Sequence, residues 1–373
     1  MKIITTKITK KKSFDYLLLA CTIVLVVFGI IMVYSASYYS AELSFGDKFY
    51  FAKKQLVGAV IGLVCMLTLS FVKYDILQKL KWPAIVVSVL LLSAVFIPGV
   101  GVTNYGATRW ISLGFFTLQP SEIAKFGFVI FAASILSKNY MSVKKFTGIL
   151  PVILAGGIIC LLIIMEPNMS ITICVALTMI VMLIVGGARF KHFLLIGIPM
   201  VCLAVVLVLI EPYRLKRLLA FLDPWSSAQA EGFQLVQSLF AVGSGGWFGV
   251  GLFNSRQKYL FLPFAESDFI FSIIAEEFGF VGCLLVCLLF VVIILKGIKI
   301  AKKAKDRFGS YLATGIVSII AIQLFMNIAV VTGSIPPTGL PLPFISAGST
   351  SLVVFMSAIG VLLNIDKQSK RSV

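Results

Sequence analysis

Long apolar runs separated by short polar breaks dominate the chain after its first 13 residues. A helix needs about 20 apolar residues to cross a hydrocarbon core roughly 30 Å thick. The apolar part of the first run is longer than the roughly 7 to 15 residues of a cleaved signal peptide, so we predict a retained helix there. The runs predict ten transmembrane helices, over residues 14–39, 55–72, 83–100, 121–137, 148–165, 168–187, 192–211, 269–295, 310–332 and 344–365.

The composition agrees with a membrane protein. Hydrophobic residues make up 60% of the 373 residues and charged residues 13%, whereas soluble domains have about 45 to 50% and about 25%. The predicted fold class is an all-α polytopic membrane protein. We divide it into a tail over 1–13, a single membrane domain over 14–366 and a tail over 367–373, with a large extracellular loop over 212–267 between helices 7 and 8.

Positive charge is concentrated on alternate loops. Cytoplasmic loops typically carry an excess of Lys and Arg, so this bias predicts that both termini lie in the cytoplasm. The net charge of +17 therefore reports membrane topology, and we expect no nucleic-acid partner. Of the 32 Lys and Arg residues, 22 fall in the amino-terminal tail, in the breaks at 73–82, 138–147, 188–191 and 296–309, and in the carboxy-terminal tail.

Acidic, basic, glycine and aromatic residues crowd together between residues 243 and 282. Asp268 opens the eighth apolar run, and Glu276 and Glu277 lie two to three turns further into it. A carboxylate at membrane depth costs about 2.5 to 3.5 kcal/mol on insertion scales, so such acids are candidates for function. The glycines that precede Arg256 and Lys258 suit either a cradle for a pyrophosphate group or a flexible loop.

Two further segments of the predicted outer side stand out. Glu122 and Lys125 are three residues apart at the start of the fourth helix, where they can pair on one face. The segment 333–350 holds four prolines and three glycines, and irregular backbone at membrane depth needs protein or a water-filled cavity beside it. We expect it to fold back toward the acid-containing stretch 243–282 and form one wall of a site. The pattern over 231–242 predicts an amphipathic helix at the membrane surface.

Short motifs occur in one order along nearly the whole chain, from residue 14 to 365. Through them the chain resembles the SEDS family (shape, elongation, division and sporulation), which includes FtsW, RodA and SpoVE, and it looks closer to the FtsW and SpoVE branch. The motifs are Tyr34-Ser-Ala-Ser37, Arg109-Trp110-Ile111, Gln119-Pro-Ser-Glu-Ile-Ala-Lys125, Asp223-Pro-Trp225, Gly232-Phe-Gln234, Gln237-Ser238, Gly245-Gly246 with Gly249, Asn254-Ser-Arg-Gln-Lys258, Ser267-Asp-Phe-Ile-Phe271, Glu276-Glu277, Pro336-Pro-Thr-Gly339 and Pro343-Phe-Ile-Ser346.

The resemblance implies a peptidoglycan glycosyltransferase that polymerises lipid II on the outer face of the cell membrane, for division, sporulation or elongation. It also implies a partner, a class B penicillin-binding protein that cross-links the glycan strands. The family's essential aspartate falls on Asp268, its tryptophan and arginine on Trp110 and Arg109, and its fourth-helix lysine on Lys125.

The chain departs from the family pattern at three places. The usual Pro-Glu-Ala before the aspartate is Pro263-Phe264-Ala265 here, with an acid at Glu266 instead. The usual Pro-Asp turn after the fifth helix is Pro167-Asn168, so no carboxylate role is carried over to it. The closing Gly-Gly is Gly348-Ser349.

Polymerisation of lipid II requires a base that takes the proton of the acceptor sugar's 4-hydroxyl while the polyprenyl diphosphate leaves the donor's anomeric carbon. An α-linked donor that gives a β-linkage is inverted, so one direct displacement needs a base and no protein nucleophile. We predict Asp268 as that base. Trp110 either stacks on a sugar ring or anchors the chain at the membrane surface. The candidate substrate-binding residues, four of them cations for the leaving diphosphate, are Arg109, Trp110, Lys125, Arg256 and Lys258.

The residues predicted to support the site are Glu122, Glu276, Glu277 and Ser346. Adjacent residues on a helix point about 100° apart, so we expect at most one of Glu276 and Glu277 to share a cavity with Asp268. The hypothesis is that one of them pairs with a basic residue and positions it. The alternative is a structural hydrogen bond to backbone.

Other functions fit parts of the same sequence. A flippase for the lipid-linked precursor would also have ten helices and intramembrane acids, but its polar residues should run through the depth of the bundle, and many transporters carry internal repeats. A scaffold that only recruits the transpeptidase leaves Asp268 without a purpose. We expect no tightly bound cofactor or metal, while a loosely held Mg²⁺ between carboxylate and diphosphate stays open.

Overall fold

The computed structural model describes residues 15–370 except for 105–106, 113, 115–116, 139–140, 196, 198–205, 207–215, 217–218 and 231. Helices make up most of this part of the chain. In chain order their bounds are α1 Tyr16–Phe45, α2 Tyr50–Phe71, α3 Asp75–Lys79, α4 Lys81–Ala94, α5 Pro120–Lys138, α6 Phe146–Met165, α7 Met169–Gly186, α8 Phe233–Ser244, α9 Ile270–Lys303, α10 Arg307–Val331 and α11 Ser349–Ser369.

Eight of these helices are long and apolar enough to cross a membrane: α1, α2, α5, α6, α7, α9, α10 and α11. Each coincides with one of the predicted runs, so the chain is a multi-pass helical membrane protein. The predicted third span is shorter than expected, because α4 ends at Ala94 after 14 residues. Most of the predicted seventh span, 192–211, lies outside the described residues, and the count of ten therefore stays a prediction.

A small antiparallel sheet follows α4, and there the all-α prediction is wrong. Strand β1, Gly101–Asn104, pairs with β2, Ala107–Ser112, which pairs in turn with β3, Thr117–Leu118. The register of β1 and β2 sets Gly101 opposite Ile111 at one end and Asn104 opposite Ala107 at the other. Backbone polar groups outside helices need partners, and strand pairing supplies them here.

Helix α9 is broken at Gly279, whereas the sequence predicted one continuous span. Gly279 has φ 65° and ψ −165°, outside the helical region. The preceding loop bonds to the backbone groups that the break frees, which is the condition for tolerating a broken helix in a membrane. The bonds are Val250 N–H to the Glu276 carbonyl (2.9 Å), Gly251 N–H to the Glu277 carbonyl (3.0 Å), Phe280 N–H to the Gly246 carbonyl (2.9 Å) and Val281 N–H to the Trp247 carbonyl (3.1 Å).

Loops predicted to share one side of the membrane meet at one end of the bundle. The Lys296 ammonium pairs with Asp15 at 2.9 Å, and the Tyr74 hydroxyl donates to Asp306 at 2.6 Å. The opposite end holds the sheet and the loops that precede α9 and α11. This division agrees with the alternation on which the topology prediction rests.

Small residues bring α2 and α11 close together. A Cβ at Gly62 would lie 2.6 Å from the Met356 sulfur, and a Cβ at Gly360 would lie 2.4 Å from the Met66 carbonyl oxygen. Such interfaces are typical of membrane helices, where close backbone packing drives association. The pair holds the start of α11 in a defined place at the end of the bundle that carries the sheet.

The amphipathic pattern before α9 does form a helix, but much of its apolar face meets protein. On α8, Leu235 and Val236 are buried. The buried Ser238 hydroxyl lies 2.8 Å from the Ser272 hydroxyl and donates to the Val331 carbonyl at 2.8 Å. Helix α8 is therefore docked on the ends of α9 and α10, in addition to any contact with the membrane surface.

Candidate active site

Asp268 lies two residues before α9 and is partly exposed. A Cβ at Gly339 would lie 3.1 Å from Asp268 Oδ2, so the carboxylate packs directly on that glycine. Gly339 has φ 73°, a conformation that residues with a side chain rarely adopt. The proline-rich segment 333–350 thus forms one wall beside the predicted base, as the sequence indicated.

Three consecutive backbone carbonyls lead up to α9, and each accepts a hydrogen bond from a different donor. The donors are Ala347 N–H to the Glu266 carbonyl (2.8 Å), the Ser346 hydroxyl to the Ser267 carbonyl (2.6 Å) and the Asn327 amide to the Asp268 carbonyl (2.9 Å). Ser346 therefore lies where a supporting residue was predicted. Backbone held at three successive points has little freedom to move.

Two buried amide side chains on α10 were missed from the sequence. Gln323 and Asn327 stand four residues apart and therefore on one face of the helix. Gln323 Nε2 donates to the Pro341 carbonyl at 2.8 Å, and Asn327 Nδ2 donates to the Leu340 carbonyl at 2.7 Å. Their spacing in an apolar helix is the signal that identifies them, because a buried amide must find hydrogen-bond partners.

The pairing of Lys125 with Glu122, predicted from their spacing, is confirmed. Lys125 Nζ lies 2.9 Å from Glu122 Oε1, and both side chains are buried. The same ammonium donates to Gln323 Oε1 at 2.8 Å and lies 5.2 Å from the centre of the Phe355 ring. Its charge is compensated inside the bundle, so binding of substrate by Lys125 stays a prediction.

Glu276 holds the turn over residues 254–258. Its carboxylate accepts hydrogen bonds from the N–H of Arg256 at 2.8 Å, from the N–H of Gln257 at 3.4 Å and from the Ser255 hydroxyl. This is the backbone-bonding role that the sequence left open as the alternative. The Arg256 side chain, in contrast, is exposed, so the turn presents one guanidinium outside the bundle.

Glu277 pairs with Lys258, as the hypothesis of a positioned cation required for one of the two glutamates. The distance from Lys258 Nζ to Glu277 Oε1 is 2.8 Å, with both side chains buried. The Ser35 hydroxyl of α1 lies 2.7 and 2.9 Å from the two carboxylate oxygens. Because this ammonium is enclosed and paired, its role in substrate binding also stays a prediction.

The glycines before the turn serve the break in α9. A Cβ at Gly245 would lie 1.9 Å from the Ala275 carbonyl oxygen, and a Cβ at Gly249 would lie 2.2 Å from the Glu277 carbonyl oxygen. The close approach that these glycines permit is therefore to the protein's own backbone. The sequence had offered two interpretations of these glycines, a pyrophosphate cradle or a flexible loop. Packing against the protein's own backbone is a different role from either.

Arg109 and Trp110 lie on β2. Arg109 Nε donates to the Glu166 carbonyl at 3.2 Å, and its Nη2 donates to the Pro167 carbonyl. Trp110 is partly buried and stands opposite Val102 on β1. Arg109 thus joins the sheet to the turn between α6 and α7.

The turn between α6 and α7 holds a buried acid. Burial raises the pKa of Glu166 to about 8, against the opposing effect of Arg109. Neither Glu166 carboxyl oxygen has a hydrogen-bond partner among the described residues. Asn168, which stands where the family usually has aspartate, caps α7 by accepting from the Ile171 N–H at 3.4 Å. The carboxyl of Glu166 is thus mostly protonated at neutral pH.

Glu266 is the acid displaced from its usual place in the family pattern. Burial raises the pKa of Glu266, and the charge of nearby Asp268 raises it further. Two carboxyl groups that interact do not ionise independently. The charge of Asp268 and burial thus both make ionisation of Glu266 less favourable.

Metal binding has no preformed ligand set in the part of the chain that the structure describes. No group of three or more His, Cys, Asp or Glu side chains there could hold an ion. The loosely held Mg²⁺ therefore stays a prediction that involves the substrate's own diphosphate.

The fold and the site define a multi-pass helical membrane protein with a partly exposed aspartate fixed at one end of its bundle. The family model FTSW_RODA_SPOVE, described as "Cell cycle protein", matches residues 15–371. The chain belongs to this family, which is the SEDS family indicated by its motifs.

Relatives and solved structures agree over nearly the whole chain. Stage V sporulation protein E of Bacillus subtilis (strain 168) is 44% identical over 97% of this chain and 99% of its own length. The probable peptidoglycan glycosyltransferase FtsW of Geobacter sp. (strain M18) is 38% identical over 96% and 98%. A crystal structure of a mutant of the Thermus thermophilus rod shape determining protein RodA matches with a TM-score of 0.70 at 25% identity, covering 94% of this chain and 97% of that one.

A further solved structure shares the fold. It is described as "Structural coordination of polymerization and crosslinking by a peptidoglycan synthase complex", and one of its chains matches with a TM-score of 0.79 at 24% identity. The match covers 96% of this chain and 98% of that chain. The architecture seen here is therefore that of a chain found in such a complex.

Proposed function

We propose that this chain is a peptidoglycan glycosyltransferase that polymerises lipid II with Asp268 as the general base. Family membership and the relatives named as peptidoglycan glycosyltransferases support the activity. The observation that carries the assignment of the base is the place of Asp268. Its carboxylate is partly exposed, rests on Gly339 and stands on backbone whose carbonyls are held at three successive residues.

The reaction is a single displacement. Asp268 accepts the proton of the acceptor's 4-hydroxyl as that oxygen attacks the donor's anomeric carbon, and the bond from that carbon to the diphosphate breaks. The polyprenyl diphosphate leaves with the electron pair of that bond. A base fixed by its surroundings favours this step, because proton transfer requires hydrogen-bond contact in the reactive geometry.

Arg256 is the best-placed cation for the leaving diphosphate. Arg256 is exposed on the turn that Glu276 holds, whereas Arg109 donates to the turn between α6 and α7. Lys125 and Lys258 are each paired with a buried carboxylate, which cancels most of their field. We assign the two lysines to holding the site and Arg256 to charge stabilisation.

The end of the bundle that carries Asp268 lies on the outer face of the membrane in this proposal. The opposite end brings together segments rich in Lys and Arg, which the positive-inside rule places in the cytoplasm. In the same scheme ten helices span the membrane and both termini are cytoplasmic. Lipid II would present its headgroup to Asp268 from the outer leaflet.

The partner in this proposal is a class B penicillin-binding protein, which cross-links the strands that this chain makes. The shared fold with a chain of a peptidoglycan synthase complex supports an assembly of that kind. Mg²⁺, where it takes part, would be bound jointly by carboxylate and diphosphate oxygens, which are the hard ligands that it prefers.

Polymerisation of lipid II by the purified chain with its transpeptidase tests the proposal. We expect glycan strands from the wild type and none from Asp268→Ala or Asp268→Asn. The matched control is Asp47→Asn, because Asp47 is also an acid at the same end of the bundle but forms an exposed pair with Lys53. That variant should make strands at the wild-type rate.

The outcomes separate the candidate functions. Strands from folded Asp268 variants would remove Asp268 as the base. Absence of strands from the wild type, together with translocation of lipid II across liposome membranes, would identify the chain as a flippase. Binding of the transpeptidase without either activity would leave the scaffold.

A further inference from the structure

We infer that Asn327 is a positioning residue for Asp268, an inference that rests on the proposed function. Asn327 sits on α10, 1% exposed, and both of its donated hydrogen bonds go to backbone carbonyls of the site. One carbonyl belongs to Asp268 itself at 2.9 Å, and the other belongs to Leu340 at 2.7 Å. A primary amide has only two N–H groups, so Asn327 commits its full donor capacity here.

The two acceptors belong to the two segments that meet at the carboxylate. Asp268 bears the carboxylate, and Leu340 follows Gly339, the residue on which the carboxylate packs. A single rigid side chain therefore sets the distance between the base and its support. Loss of that amide removes the side chain that joins the backbone of Asp268 to the backbone of Leu340, so the carboxylate is placed less precisely against Gly339.

Gln323 extends the same arrangement toward the buried lysine. One turn before Asn327, it accepts from Lys125 at 2.8 Å and donates to the Pro341 carbonyl at 2.8 Å. Pro341 and Leu340 are adjacent, so the two amide side chains of α10 donate to neighbouring carbonyls of one loop. Through these two amides, α10 connects both the Lys125 pair and the Asp268 backbone to that loop.

A buried amide also contributes to stability, so positioning must be separated from that general role. Asn364 on α11 provides the matched comparison. It is buried like Asn327, and its Nδ2 donates to the Ser70 carbonyl at 2.9 Å. It lies at the opposite end of the bundle, where it also accepts from the Tyr74 N–H. Loss of the Asn364 amide should lower the stability of the protein without changing the position of Asp268.

The test compares Asn327→Leu with Asn364→Leu in the full chain bound to its transpeptidase. We expect Asn327→Leu to lower kcat for lipid II polymerisation about 10- to 100-fold, since a misplacement of about 1 Å can cost that much. The KM should stay within about twofold, because the substrate's binding groups are untouched. Asn364→Leu should lower Tm by a similar amount while kcat remains within about twofold of wild type.

A second pair of variants addresses the same point without touching Asn327. Gly339→Ala would place a Cβ 3.1 Å from Asp268 Oδ2 at φ 73°, whereas Gly46→Ala meets nothing within 4 Å at φ 67°. Gly339→Ala should lower kcat, and Gly46→Ala should not. If Asn327→Leu fails to fold, the comparison of kcat between Gly339→Ala and Gly46→Ala tests whether the placement of the Asp268 carboxylate matters for activity. A full kcat in Gly339→Ala would then count against the inference.

Equal kcat losses in Asn327→Leu and Asn364→Leu at matched Tm, or a full kcat in Asn327→Leu, would overturn the inference while the proposed function stands. Strands from a folded Asp268→Asn would instead overturn the proposed base. A loss in Asn327→Leu that appears mainly in KM would make Asn327 part of substrate binding and would also refute positioning.

Discussion

The Lys258 ammonium lies 2.8 Å from Glu277 Oε1, and this buried pair ties the loop before α9 to the interior of that helix. The pair adjoins the break at Gly279, where the same loop bonds to freed backbone groups. Glu276 adds hydrogen bonds to the turn that presents Arg256. The loop before α9 is therefore anchored to that helix by charge, by side-chain hydrogen bonds and by backbone contact.

Glu277→Gln should destabilise the protein by about 3 to 5 kcal/mol, because it leaves the Lys258 charge buried without its partner. Denaturant or thermal unfolding in detergent measures the change. The control is Asp47→Asn, whose pair with Lys53 is exposed, with side chains 37% and 67% accessible. That variant should cost less than about 1 kcal/mol.

Removing both members of the buried pair should recover most of the stability that Glu277→Gln loses. The variant Lys258→Met with Glu277→Leu carries no uncompensated charge, and such replacements are often neutral or stabilising. If Glu277→Gln proves as harmless as Asp47→Asn, the burial of this pair in the folded protein is refuted.

Gly249→Ala should be strongly destabilising. The added Cβ would lie 2.2 Å from the Glu277 carbonyl oxygen at φ 79°, so the loop must leave the break in α9. Gly46→Ala, at φ 67° with nothing within 4 Å, should cost only the conformational strain of about 1 to 2 kcal/mol.

The difference in stability loss between Gly249→Ala and Gly46→Ala measures how closely Gly249 packs on the Glu277 carbonyl. We expect Gly249→Ala to lose about 1 to 3 kcal/mol more than Gly46→Ala, the range of an overpacked interior. Unfolding in detergent, followed by tryptophan fluorescence, reports both values. Equal losses would mean that the loop does not pack on α9.

The stability of the protein should fall as pH rises, and Glu166 should account for part of the fall. Its pKa in the folded protein is about 8, above its usual value of 4.5. Protonation favours the folded state, so this contribution is complete below pH 4.5 and is lost as pH rises through 8. Tm measured between pH 5 and 9 should decline over about that window.

Glu166→Gln should flatten this part of the profile. An amide has nearly the shape of the protonated carboxyl and cannot ionise, so Tm should match wild type near pH 5 and exceed it near pH 9. Asp47→Asn, which removes an exposed acid whose pKa is lowered by Lys53, should leave the profile above pH 5 unchanged. An unchanged slope in Glu166→Gln would place the titration on another group.

Arg256→Ala should weaken substrate binding with little change in stability. The side chain is exposed and only its backbone N–H is held by Glu276, so the turn should survive the substitution. Loss of a charged contact to a diphosphate should raise KM roughly tenfold. The assay is polymerisation of lipid II at several ionic strengths, because salt screens such contacts.

Lys53→Ala is the control for charge in general. Lys53 is an exposed cation at the same end of the bundle, paired with Asp47. Its removal should leave KM within about twofold of wild type. Equal increases of KM in Arg256→Ala and Lys53→Ala would mean that Arg256 contributes only to the overall positive potential of the surface.

Local patterns in the sequence account for most of the helices. A run of about 20 apolar residues inside a membrane can satisfy the hydrogen bonds of its own backbone by forming a helix, which does not depend on its neighbours. The pair of Glu122 and Lys125 was also predictable, because three residues on a helix bring two side chains together. The same holds for the position of Asp268 at the start of α9.

Other features depended on partners far away in the chain. The sequence left open which of Glu276 and Glu277 meets a cation, and Lys258 and Ser35 decided it. The break at Gly279 looked like any glycine in an apolar run. It exists because the loop of Gly249 supplies hydrogen bonds that the helix gives up.

The sequence by itself determined a membrane-spanning helical chain, its family and the candidate base, since hydropathy, ordered motifs and helical spacing are properties of neighbouring residues. Only the tertiary structure decided what holds that base. Asn327 and Gly339 reach Asp268 across 59 and 71 positions of the chain. Contacts of that range depend on how helices and loops pack, which no local pattern contains.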